Sequence, residues 1–141
     1  IDATAGCARL SFLDAYSGFD NLKMLASIQK KITDDDIRET ISLVGLDPHD
    51  KKKYRKYSLG MKQRLGIAAA VMEEPDIVIL DEPTNALDSD GVAMLKEILK
   101  RQKERNALAV ISCHDLDTLK ELSDEIFLME SGALRPYHEE G

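Results

Sequence analysis

Ile77-Val78-Ile79-Leu80-Asp81-Glu82-Pro83-Thr84-Asn85-Ala86-Leu87-Asp88 is a four-residue apolar run that ends abruptly in two adjacent carboxylates, with a third acid a short loop later. A buried strand that delivers Asp81 and Glu82 at its carboxyl end can hold a metal ion and a base beside a phosphate. Acids after a strand are often no more than a solvated loop. The order of four apolar residues, two acids, Pro83-Thr84 and then Asp88 favours the chemical reading. Asp81 is then expected to hold Mg²⁺, mostly through water, and Glu82 to polarise an attacking water. No Gly-x-x-x-x-Gly-Lys-[Ser/Thr] occurs in the chain, so the usual phosphate cradle is absent from it.

Upstream, the periodicity is helical. Phe19, Leu22, Leu25 with Ala26, and Ile28 recur at three- and four-residue spacing and predict a helix of about three turns. Thr33 is a natural N-cap, and Asp34, Asp35 and Asp36 put negative charge on the first turn, where the helix dipole favours it. Ile37, Ile41 and Val44 line one face of that second helix, which Gly45 and Pro48 close. A third helix is expected to start at Ser58, with Leu65, Ala68, Ala69 and Met72 inward. In Ser58-Leu59-Gly60-Met61-Lys62-Gln63-Arg64, serine is a cap and Gly60 lets the backbone approach a ligand closely. The free N–H groups of that first turn form an anion site. Alone this is an ordinary capped helix; nineteen residues ahead of Ile77 it reads as part of the same site.

After Pro75 the pattern becomes strand, helix, strand, helix, strand. Ile77–Leu80, Leu108–Ile111 and Ile126–Met129 are short unbroken apolar runs, expected as parallel strands covered on both faces. A helix near 89–104, with Met94, Leu95, Ile98 and Leu99 inward, and a shorter one near 115–122 suit right-handed βαβ crossovers. Lys100, Arg101, Lys103 and Arg105 sit at the end of the former, in agreement with the dipole. Glu130-Ser131-Gly132 reads as a turn and 135–141 as a loose tail. The fold class is therefore α/β.

With 141 residues, 43% apolar and 32% charged, the chain fits one domain, or one domain and part of a second. A first residue of Ile1 rather than Met suggests a cut N-terminus. No apolar run approaches the roughly 20 residues that cross a bilayer, and no signal peptide is visible. A net charge of −7 argues against nucleic acid as the default partner. The run Lys51-Lys52-Lys53-Tyr54-Arg55-Lys56 is read as a solvated linker. Cys7 and Cys113 lack metal-ligand spacing and read as reduced thiols.

Tyr57–Arg64, Ile77–Glu82, Asn85–Asp88 and His114, in that order and spacing, resemble the signature, Walker B, D-loop and switch-histidine motifs of ATP-binding cassette (ABC) ATPases. The match covers residues 57–115, with a weaker similarity reaching back to Asp20-Asn21-Leu22. The wording around Ser58 is similar to the branch serving bacterial multidrug, bacitracin and lantibiotic-type exporters, in which Leu59 and Met61 also replace the commoner glycine and glutamine. The resemblance implies a partial P-loop NTPase fold: a remnant of the core-to-helical joint at 1–18, a helical signature subdomain at 19–73, and the C-terminal part of the ATPase core at 74–141. That core would be half of a parallel sheet with flanking helices.

It further implies ATP and Mg²⁺ as ligands, with Glu82 and His114 as the catalytic pair and Asp81 on the metal. Ser58, Leu59, Gly60 and Met61 would meet the γ-phosphate bound to a second subunit of a head-to-tail dimer, and Asp88 would lie at its seam. Asp2 is a candidate for the position that links core and helical subdomain. The partners implied are a membrane permease, the second ATPase subunit and the N-terminal half of the same domain, at the cytoplasmic face of a membrane. The family's P-loop strand lies between the switch-histidine strand and the last core strand. Without it, Leu108–Ile111 is expected to keep an unpaired edge, leading to a rearranged half-sheet or strand exchange between chains. Binding ATP at 1 mM takes about 4 kcal/mol, whereas an exposed helix N-terminus contributes about 0.3–1 kcal/mol, so the chain alone is expected to bind nucleotide poorly and not to turn over. Two other readings are a soluble ABC-type ATPase acting on ribosomes or DNA, and a non-catalytic interaction module.

Overall fold

The computed structural model describes residues 2–4, 7–9 and 11–139, the first two segments as backbone only. The side chains of Asp2, the candidate for the joint to the helical region, and of Cys7, read as a reduced thiol, therefore lie outside the described residues. A short antiparallel pair, β1 (Asp2–Thr4) with β2 (Cys7–Arg9), is followed by three helices: α1 (Gly18–Gln29), α2 (Asp34–Leu43) and α3 (Leu59–Val71). Then come β3 (Ile77–Asp81), α4 (Ser89–Glu104), β4 (Leu108–Ser112), α5 (Leu116–Leu122), β5 (Phe127–Glu130) and β6 (Ala133–Pro136).

Each helix starts on an oxygen that accepts from its own first turn: Ser17, Thr33, Ser58, Asp88 and Asp115. Those side chains satisfy amides that have no intrahelical partner. At α2 the cap is reciprocal. The Asp36 amide donates to Thr33 Oγ1 at 3.2 Å while Asp36 Oδ2 accepts from the Thr33 amide at 2.8 Å and from its hydroxyl at 2.9 Å. These donors hold the Asp36 carboxyl below the ordinary carboxylate range, the Thr33 amide having the larger effect.

Leu22, Ala26, Ile37, Ile41, Val44, Leu65 and Ala68 from the helical region join Val78, Leu80, Leu95, Ile98 and Leu99 in one buried cluster. The helix faces follow the periodicity, with Ile28 the exception: it is 66% exposed at the end of α1. Asn21 is buried within the polar joint before α1. Its amide oxygen accepts from Leu13 N at 2.7 Å, and its nitrogen donates to the carbonyls of Leu13, Tyr16 and Ser17. It closes backbone groups that would otherwise be unpaired at the entry to α1.

β3 and β4 pair in parallel, Ile77 opposite Leu108 through Asp81 opposite Ser112. The third apolar run behaves differently from the parallel strand expected. β5 pairs antiparallel with β6, in a hairpin separate from β3–β4, and residues 135 and 136 of the supposed tail belong to it. Ser131 (φ 50°) and Gly132 (φ 79°) form the two-residue loop, and positive φ at both centres matches the twist of a tight hairpin. Nor does the half-sheet rearrange: among the described residues β4 pairs with β3 alone. Coverage on both faces fails for β4 and β5 as well. Leu108 and Val110 are exposed because α4 covers the face of β4 that carries Ala109 and Ile111, and Phe127 and Met129 of β5 are exposed too. Among the described residues no helix is long and apolar enough to cross a membrane.

Two outcomes follow. Leu95→Ala, at a fully buried position, is expected to lower stability in urea titrations by about 2–5 kcal/mol, whereas Met129→Ala on the exposed hairpin should stay within about 0.5 kcal/mol. Because the Asp36 carboxyl is held low in the folded chain, its cap contributes fully above the ordinary carboxylate range and is lost as pH falls through the lowered value. Carboxyl NMR titration should show Thr33→Ala moving Asp36 upward.

Candidate functional site

The carboxyl end of β3 carries Asp81 as its last residue and Glu82 as the first of the loop. Glu82 adopts φ 47°, a left-handed conformation that a non-glycine residue takes only where surroundings enforce it. Its amide donates to both the carbonyl and the hydroxyl of Ser112 at the end of β4, each at 3.1 Å. The Ser112 hydroxyl in turn donates to Asp81 Oδ1. Two residues further on, His114 Nε2 lies 2.9 Å from Glu82 Oε1, a contact made when that nitrogen carries a proton. The Glu82 side chain is 20% exposed, the His114 side chain 95%. Parallel pairing thus brings Asp81, Glu82 and His114 to one end of the sheet.

The N-terminus of α3 packs against the loop that follows. Ser58 Oγ accepts from Met61 N at 3.2 Å, leaving its hydroxyl proton to donate elsewhere. A side chain at Gly60 would meet the Ala86 carbonyl oxygen at 3.0 Å, so glycine is what lets helix and loop touch. Ser58, Gly60, Met61, Arg64, Ala86 and Asp88 border a shallow pocket of about 300 Å³, and Leu59 projects outward, 72% exposed. Asp88 Oδ1 accepts from Gly91 N at 2.8 Å, capping α4, and from Arg64 at 3.3 Å.

Gln63 and Arg64 tie the two clusters into one surface, a role the sequence did not disclose. Gln63 Nε2 donates to the Pro83 carbonyl at 3.0 Å, beside Glu82, and Arg64 Nη1 donates to the Val44 carbonyl at the end of α2 at 2.7 Å. On a helix these two residues read as solvated; only their position inside the quoted motif hinted otherwise. Ser112 was likewise visible only as a neighbour of His114.

Among the described residues no group of three or more His, Cys, Asp or Glu forms a self-sufficient metal cage. Mg²⁺ keeps several waters and is bound through one or two carboxylates together with substrate phosphates. Asp81 fits as such a ligand, with one oxygen held by Ser112 and the residue exposed.

The sequence pattern that defines the ABC transporter family matches residues 8–85, more than half of the chain. The chain is 46% identical over 125 residues to the uncharacterized ABC transporter ATP-binding protein YybJ of Bacillus subtilis, covering 89% of this chain and 57% of that protein. It is 38% identical over 124 residues to the bacitracin transport ATP-binding protein BcrA of Enterococcus faecalis, covering 87% and 40%. The lantibiotic transport ATP-binding protein SrtF of Streptococcus pyogenes is 37% identical over 118 residues, covering 84% and 51%. The fold and site define part of an α/β P-loop NTPase core with its helical subdomain. The chain belongs to the ABC transporter family. It spans about half the length of these relatives.

Replacing Gly60 decides whether the helix–loop contact matters. A Gly→Ala change inside an unencumbered helix raises stability by about 0.5–1 kcal/mol. Here the Ala86 carbonyl stands in the way, so Gly60→Ala is expected to lower stability and to shift the amide resonances of residues 85–88. A stabilised variant with those resonances unmoved would contradict the contact.

Proposed function

We propose that this chain forms the hydrolytic and partner-contacting portion of an ATP-hydrolysing subunit that powers export across a membrane. The observation that carries the reading is the 2.9 Å approach of His114 Nε2 to Glu82 Oε1 at the carboxyl end of β3. Glu82 is the base that polarises the attacking water, its left-handed backbone aiming the carboxylate off the strand end. His114 orients that carboxylate and can turn to the γ-phosphate when nucleotide is present. Asp81 would hold Mg²⁺, which when bound would supply charge neutralisation at the phosphate.

Ser58, Leu59, Gly60 and Met61 present the start of α3 to ATP held by a second subunit in a head-to-tail dimer. Support comes from the spare hydroxyl proton of Ser58 and the exposed Leu59. Asp88 lies beside this surface, where its ion pair with Arg64 links the dimer seam to α2. On this reading 1–18 is the joint to the core, 19–73 the subdomain that meets a permease, and 74–141 the core portion, at the cytoplasmic face of the membrane. A transport role is supported by the bacitracin and lantibiotic transport names of two relatives. With no phosphate-cradling loop in the sequence, the chain by itself binds nucleotide weakly and does not hydrolyse it.

Mixing the purified chain with a separately produced polypeptide carrying the family's N-terminal half is the test. Mg²⁺-dependent phosphate release is expected only in the mixture, and Glu82→Gln should reduce it by about 100-fold or more, the scale of loss when a positioned general base is removed. Equal turnover by the chain alone, or by the Glu82→Gln mixture, would contradict the proposal.

A further inference from the structure

We propose that Ser112 is a positioning residue that sets both acids of the site through one hydroxyl, an inference that rests on the reading of Asp81 and Glu82 given above. Ser112 closes β4 as the register partner of Asp81, so the two residues are direct neighbours across the parallel pair. Its hydroxyl has one proton and lone pairs to spare. The proton goes to Asp81 Oδ1, and the oxygen accepts the Glu82 amide at 3.1 Å. Both uses are filled at once, which fixes the hydroxyl and ties the metal-facing carboxylate to the backbone of the base.

Glu82 needs that support. Its φ of 47° lies in a region that persists only where neighbours over-determine it. The Ser112 carbonyl supplies one acceptor and the hydroxyl a second on the same amide. The position is solvent-exposed at a strand end, where a β-branched apolar residue would suit the strand better. A valine there would leave Asp81 without its donor and Glu82 with a single acceptor. Serine at 112 is therefore explained by ordering of the acids, whereas strand stability would favour another residue. Because His114 follows two residues later and meets Glu82 Oε1, the same anchor fixes where the imidazole starts.

The test uses the whole encoded polypeptide carrying this sequence, in a Glu82→Gln background that blocks hydrolysis, with Mn²⁺–ATP as the probe. Ser112→Ala is expected to weaken Mn²⁺ binding, read by electron paramagnetic resonance, by about 10-fold, the usual scale for removing a residue that orients a metal ligand. ATP binding in EDTA should be unchanged, Ser112→Thr should restore the metal affinity, and Ser112→Val should not. In the chain itself, Ser112→Ala should speed exchange of the Glu82 amide while Ser112→Thr protects it. Unchanged Mn²⁺ affinity in Ser112→Ala overturns the proposal while leaving the ATPase reading intact. A Glu82→Gln parent that binds no nucleotide overturns the ATPase reading instead. Amide exchange then decides the positioning role alone, an unchanged Glu82 rate overturning it.

Discussion

Everything at the site depends on the parallel pairing of β3 with β4 in a single register. Side chains alternate faces along a strand, so slipping by one residue would move Val78 and Leu80 out of the core and turn Asp81 away from Ser112. The burial of Val78 and Leu80 against α3, in one cluster with Leu95, Ile98 and Leu99 of α4, fixes that register from one end. The hydrogen bonds from Glu82 to Ser112 fix it from the other. Apolar burial is thus converted into placement of charge: the core sets the strand, and the strand sets the acids.

A second constraint joins the helical region to this end of the sheet. α3 is buried through Leu65, Ile67, Ala68 and Val71, while its first turn lies against the 84–88 loop. Gln63 reaches the loop at Pro83, and Arg64 spans from Val44 to Asp88. The arginine is mostly buried and its partner exposed, so the bond adds little stability and mainly fixes direction. Movement of α2 would therefore be felt at Asp88, and through it at the start of α4.

Much of this was legible in the residues. Ile77–Leu80 and Leu108–Ile111 announced themselves as apolar runs, and the long amphipathic stretch between them required a parallel crossover. Ser58, Thr33 and Asp88 are capping residues by chemistry and cap helices here. Ile126–Met129 misled because a short apolar run has the same appearance in a covered parallel strand and in an exposed hairpin. The deciding signal was Ser131-Gly132, a two-residue turn followed by four residues able to pair back. Ile28 failed because helix ends outrun the core they pack on. Gln63, Arg64, Asn21 and Ser112 act through hydrogen bonds to backbone or to residues far along the chain, and no periodicity reports such bonds.

The most direct test of the account is a nuclear Overhauser measurement on the labelled chain, between the Glu82 side chain and the His114 ring, with cross-strand contacts from Val78 to Ala109 as the register control. The account predicts cross-peaks at both places, as the 2.9 Å contact and the strand pairing require. Cross-strand peaks in that register with none between Glu82 and His114 would contradict it.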